Sequence, residues 1–298
     1  MRGTDIRCDA QTVGGFPFRI GPRCQQVNAD QAGPAGNVRT SVRTGSLTAE
    51  ALLLDPGTVT VGMTSPISMD VAGQQIAAQW SDLEFTGNMN FNGGFDALLL
   101  NGSGIAFAQG QTTFAIGDLN GTLKPTPGTA DMPDAKDVQA TLQVKKASGS
   151  APGVGTVPQL DLGAIITLHR SYKPLVDQRL SFSAFARKGF DFTIDELQLL
   201  TIGEGMLHLS GPVQVNPDGQ MSGTLQIAIA NPEALKGWTT DLPQEATQAI
   251  GILVQAVAGM GAARTVGGRT ASSIEVTLDR GAVKLGFITM AQLPPLRF

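Results

Sequence analysis

The feature that most constrains this chain is the regular punctuation of short apolar runs by turn-forming residues. Runs at 58–61, 67–71, 75–80, 83–85, 88–91, 95–100, 104–107 and 113–116 follow one another closely, each bounded by Gly, Asn, Pro or Asp. A side-chain period of two suits strands with one buried face, and Gly or Asn between runs supplies the positive φ that tight hairpins need. The pattern predicts a β-meander, with Asn101-Gly102 and Asn120-Gly121 as two of its hairpin turns. Composition agrees: 37 Gly with 5% aromatic and 15% charged residues fits strands joined by tight turns better than a helical protein with a charged surface.

A Gly- and Pro-rich loop is expected at 29–37, and two further shifts to Pro, Gly, Ser and Thr, at 124–135 and 147–158, bracket a strand at 138–145. The chain therefore reads as a single β-rich domain, 1–298, whose halves 1–124 and 159–298 are joined by a Pro/Gly-rich crossing at 125–158. Strand patterns resume at 160–169 and 190–199. In GPVQVNPDGQMSGTLQIAIAN, Val213 and Val215 lead into Asn216-Pro217-Asp218-Gly219, and Leu225, Ile227 and Ile229 lead out, which specifies a hairpin. A second hairpin is expected at the end, where Ile274, Val276 and Leu278 turn through Asp279-Arg280-Gly281 and return as Val283, Leu285 and Phe287.

One helix interrupts the strands. After Pro243 and Glu245, the apolar residues Ala246, Ile250, Leu253, Val257 and Met260 recur three or four positions apart, which predicts a helix over 244–260. It carries almost no charge after Glu245 and is too short to span a bilayer. Such a helix is expected to close or flank the apolar interior of a sheet, with Ile250, Leu253, Val257 and Met260 as candidate ligand-facing residues. The expected fold is mainly β: a large curved antiparallel sheet, groove-like or sandwich-like, with this apolar helix of the C-terminal half packed on it.

Cys8 and Cys24 are the chain's two cysteines. Metal ligation lacks partners, since His169 and His208 lie far away, and a catalytic thiol leaves the second cysteine unexplained. Two free buried cysteines remain the plain alternative. A disulfide is favoured because the segment between them suits a hairpin, with strands at 6–12 and 16–20 around Gly14-Gly15, Phe16, Phe18 and Ile20 on one face, and Pro17 on an edge or beside a bulge. Closing this loop is worth about 3 kcal/mol in the chain-entropy model and implies an oxidising compartment. The N-terminal residues lack the apolar core of a signal peptide and no run of 18 apolar residues occurs, so an export segment or anchor is expected upstream.

Reaction chemistry is hard to find. The chain has no nucleophile elbow, dinucleotide fingerprint, phosphate loop or His-x-x-x-His pair. Asp82/Glu84 and Asp195/Glu196 read as surface charges. His169 and His208 read as outward strand positions with no convergent partner. A net charge of −4, with Lys and Arg scattered, lacks the basic stripe that nucleic-acid binding needs. The expectation is a protein that is not an enzyme and holds no cofactor or metal.

Three blocks together resemble a family. Gly15-Phe16-Pro17-Phe18-Arg19 followed by Cys24, the segment LSGPVQVNPDGQMSGTLQIAIAN at 209–231 ahead of the apolar helix, and LDRGAVKLGFITMAQLPPL at 278–296 are similar, in that order, to signatures of the domain of unknown function 2125, a periplasmic family of Gram-negative bacteria. By architecture alone the pattern is also similar to AsmA-like envelope proteins, whose curved sheets form an apolar groove for lipid. The resemblance implies a β-rich periplasmic body tethered to the inner membrane by an N-terminal segment. The function expected is that of a non-enzymatic cell-envelope protein that binds a lipid or other amphiphile in an apolar sheet groove, or docks an envelope protein. The alternative is a structural or interaction module with a fully packed core and no ligand.

Overall fold

The structure, a computed structural model, describes residues 5–32, 39–71, 74–90, 93–128, 135–153, 155–176, 186–236 and 244–296. The fold is mainly β, and among the described residues the strands belong to one large antiparallel sheet with few helices. The chain divides into two compact units, Met1–Thr122 with Val144–Thr156, and Leu123–Gln143 with Val157–Phe298.

The first unit is an up-and-down meander of long strands, most of them interrupted near the middle. One ladder runs through β2 (Gln11–Gly14), β3 (Arg19–Cys24), β6 (Leu47–Leu52), β7 (Thr58–Met63) and β10 (Asp82–Met89) to the first part of β11 (Phe95–Gln109). A second runs through β1 (Asp5–Cys8), β4 (Val27–Ala32), β5 (Arg39–Thr44), β8 (Ile67–Val71) and β9 (Gln74–Gln79) to the last part of β11. Each break in a long strand bonds to the break beside it: Gln25 N–H reaches Ala10 O at 3.1 Å, Thr64 N–H reaches Ser46 O at 2.9 Å and Ser81 N–H reaches Ser103 O at 2.9 Å. Most residues in this crease are polar or small, but Trp80 is buried there and donates its indole N–H to Met63 O at 2.7 Å. On β11 the crease falls at Gly104, whose φ of 58° only glycine adopts without strain, so the two patterns at 95–100 and 104–107 form one strand with an irregularity.

Several local expectations give way here. Asn101-Gly102 lies inside β11 and Asn120-Gly121 inside β12 (Thr112–Thr126), so neither is a hairpin turn. A Cβ at 102 would closely meet only the side-chain ends of Ile105 at 2.9 Å and Leu83 at 3.3 Å. The presumed loop at 147–158 is mostly strand, the end of β13 (Asp137–Ala151) and the start of β14 (Gly155–Leu168). Much of the loop expected at 29–37 lies outside the described residues, and its start belongs to β4. The first hairpin turns over 15–18 rather than at Gly14-Gly15, which leaves Phe16 and Phe18 in the turn, 81% and 70% exposed, instead of on a strand face.

Cys8 and Cys24 form the expected disulfide, with a Cα–Cα distance of 5.6 Å. They end β1 and β3, so the bond ties neighbouring long strands together beside the crease.

The second unit holds the packed core. β14 pairs with β15 (Phe190–Thr201), which continues through β16 (Met206–Val215) and β17 (Met221–Ala230) to β19 (Arg269–Asp279); β18 (Ala262–Val266) and β20 (Ala282–Leu285) pair with β19, and β21 (Ile288–Gln292) with β20. The hairpin at Asn216–Gly219 forms as its sequence specifies, with Gly219 N–H donating to Asn216 O at 2.8 Å. The terminal hairpin forms too, but β20 stops at Leu285 and Phe287 is 96% exposed in the next turn instead of returning with Val283. Helices α1 (Tyr172–Val176) and α2 (Pro232–Lys236) are single turns. The long helix α3 (Gln244–Met260) has the predicted bounds and packs on β17 and β19 through Val254 and Val257, which join Ile227, Ile229, Ile274 and Val276 in one buried cluster.

Candidate functional site

In the first unit the cross-strand register separates two faces. One row runs Ile20, Ala51, Val59, Gly87, Leu98, and the next runs Ala49, Val61, Phe85, Leu100. On β6, β7 and β10 most intervening positions on the opposite face are polar, namely Thr48, Glu50, Thr60, Glu84, Thr86 and Asn88, whereas β11 places Leu99 and Ala97 on that face opposite Thr86 and Asn88. Those polar side chains satisfy one another. Arg23 donates to Glu50 at 2.6 and 2.9 Å, and the Thr60 and Thr86 hydroxyls meet at 3.3 Å.

The second ladder repeats the separation, with rows Val27, Thr44, Ile67, Ala78, Phe107 and Ala29, Val42, Met69, Ile76. Thr44 and, at the end of the second row, Gln109 break the apolar pattern, and the buried Thr44 hydroxyl has no hydrogen-bond partner among the described residues. A sheet with one polar and one apolar face normally hides the apolar one under a second layer. Here the apolar rows stay partly open: Ile20 and Phe85 are exposed, and Val59, Val61, Leu98 and Leu100 are only half-buried. Among the described residues the clusters of buried apolar side chains lie in the second unit.

At the far end of the second ladder a groove of about 390 Å³ is lined by Ala78, Phe107, Phe114 and Gly149, together with Pro66, Gln79 and further Ala, Ser and Thr residues. Its volume falls within the range of small-molecule sites, and its walls offer two aromatic rings and small side chains but no charge. Small residues keep the groove open: a Cβ at Gly149 would lie 3.2 Å from the Phe114 ring.

The helix residues singled out from sequence separate. Val257 is fully buried in the core cluster, so its surface is already covered by sheet, whereas Met260 is 67% exposed. Ile250 and Leu253 belong to α3, but their side chains lie outside the described residues.

Sequence reasoning missed a polar cluster in the second unit. His169 follows β14 and, contrary to the expectation of an outward position with no partner, its Nδ1 lies 2.9 Å from Asp137 Oδ2 and its Nε2 lies 2.8 Å from Thr193 Oγ1. Asp137 is only 4% exposed and also accepts the Arg170 backbone N–H at 2.7 Å, while the Arg170 guanidinium donates to Asp191 at 2.6 Å. Hydroxyl, imidazole and carboxylate stand in the order of a nucleophile, its base and the acid that orients it. The hydrogen bonds of Asp137 to His169 and to the Arg170 backbone pin the end of β14 to the start of β13. No local signal could have revealed it, since the partners of His169 are 32 and 24 positions away. His208 has no such cluster: it sits within β16, opposite Gln198 and Ala228. Asp195 accepts from the Thr167 hydroxyl at 2.5 Å, and no group of three metal-ligating side chains occurs among the described residues.

A two-faced antiparallel sheet whose apolar face is partly open defines the class of protein. The chain belongs to the family described as an uncharacterized protein conserved in bacteria, the domain of unknown function 2125, which matches residues 1–294. No curated protein and no solved structure matches it.

Proposed function

We propose that this chain is a non-enzymatic cell-envelope protein that binds a lipid or another amphiphile along the apolar sheet face of its first unit. The observation that carries the reading is the register itself, which gathers Ile20, Val59, Val61, Phe85, Leu98 and Leu100 on one face and leaves them partly open while the polar face is internally satisfied. Contiguous exposed apolar surface of this kind marks a binding surface, and covering it with an acyl chain is favourable at about 25 cal/mol per Å² removed from water. The groove at Phe107 and Phe114 extends the same chemistry to a recess of ligand size. A periplasmic location, with an upstream segment holding the protein at the inner membrane, accords with the Cys8–Cys24 bond, which persists in an oxidising compartment.

Titration with a fluorescent fatty acid, 11-(dansylamino)undecanoic acid, tests the proposal. Saturable binding is expected, weakened at least about tenfold by Val61→Asp on the apolar face and unchanged by Thr60→Asp on the polar face. Absence of saturation, or equal affinity in Val61→Asp and wild type at equal thermal stability, would sink it.

A further inference from the structure

We propose that the second unit carries a separate binding site for a phosphate-type oxyanion, in the cavity that Lys136, Arg170 and Lys173 line beside Tyr172. The cavity measures about 800 Å³, and among the described residues no carboxylate lines it. Three exposed cationic residues thus line one recess, whose other described walls are Ala135, Tyr172, Pro174 and Val176.

The support beneath these cations is built rather than incidental. Arg170 has a φ of 54°, a left-handed conformation uncommon for a non-glycine residue and one that persists only where its surroundings impose it. Asp137, almost wholly buried, imposes it by accepting the Arg170 backbone N–H at 2.7 Å, and is itself held by His169. Asp191 takes one guanidinium N–H at 2.6 Å, which orients the fork and leaves the other donors to spare. Lys136 stands 5.4 Å from the centroid of the Tyr172 ring, and among the described residues neither Lys136 nor Lys173 forms a salt bridge. A planar guanidinium with two ammonium groups suits the charge and oxygen geometry of a phosphate, and the Tyr172 ring with Pro174 and Val176 gives an attached organic body an apolar wall.

This site is independent of the amphiphile reading, and the probes keep the two apart. Calorimetric titration of the full chain would use phenyl phosphate, inorganic phosphate and phenol, none long enough to cover the sheet face of the first unit. Saturable binding of phenyl phosphate, weakened about tenfold by Lys136→Gln and again by Lys173→Gln, is the expected result, with no saturation by phenol. Tighter binding of phenyl phosphate than of inorganic phosphate assigns an organic phosphate, and equal binding assigns the free ion; either upholds the site. Val61→Asp should leave both affinities unchanged. Failure of both phosphates to saturate the wild type would overturn the proposal, as would unchanged binding in the folded double variant.

Discussion

Asp137 is the residue on which the polar order of the second unit depends. With the proton on Nδ1, His169 donates to Asp137 and accepts from the Thr193 hydroxyl, so the single buried carboxylate satisfies both an imidazole and the Arg170 backbone. Asp137→Ala would strand both donors at a cost of about 1–3 kcal/mol each. Asp137→Asn, which keeps one acceptor, should lose less, and urea denaturation of the two variants measures the difference. An equal loss in both would mean that the hydrogen bonds contribute little there. At this scale the two cysteines were legible because they are only 16 positions apart and flank turn-forming residues. Asp137 and His169 were not, because a carboxylate at the edge of one strand and an imidazole at the end of another announce nothing until the strands align.

At the scale of elements, the helix was the most legible part of the chain, since a 3.6-residue apolar period in a sequence otherwise alternating by two has no other reading. Its packing follows the same period: Val254 and Val257 point into the core, and Ile252 and Met260 point away. Val257→Ala should therefore destabilise the protein by about 2 kcal/mol through lost transfer energy and a cavity, whereas Ile252→Ala should stay within about 0.5 kcal/mol. Thermal or chemical denaturation distinguishes them, and equal effects would contradict the placement of the helix. Hairpins were legible where turn residues flanked well-patterned strands, as at Asn216–Gly219. The Asn-Gly dipeptides at 101–102 and 120–121 misled, because their local preference for a turn yields to ladders that run through β11 and β12. Interruptions along the crease raised the opposite difficulty: they make one long strand read as two short ones, although hydrogen bonds join break to break across the sheet.

At the scale of the whole molecule, the two units divide the apolar surface differently. The second buries its share beneath α3 and between its own strands, and the first leaves its share along an open sheet face. Alternation in the sequence revealed that one face of each strand would be apolar. It could not reveal which alternating segments a second layer would cover, since that depends on where the long helix α3 docks, and it docks on β17 and β19. The central claim is that an amphiphile covers the open face. Site-specific photocrosslinking in living cells tests it most directly, with p-benzoylphenylalanine placed singly at Phe85 and Phe107 on the apolar rows and at Thr60 and Glu84 on the polar ones. The account predicts lipid adducts, identified by mass spectrometry, at Phe85 and Phe107 and none at Thr60 or Glu84. Bare protein at both apolar positions, or adducts of equal yield on the two faces, would contradict it.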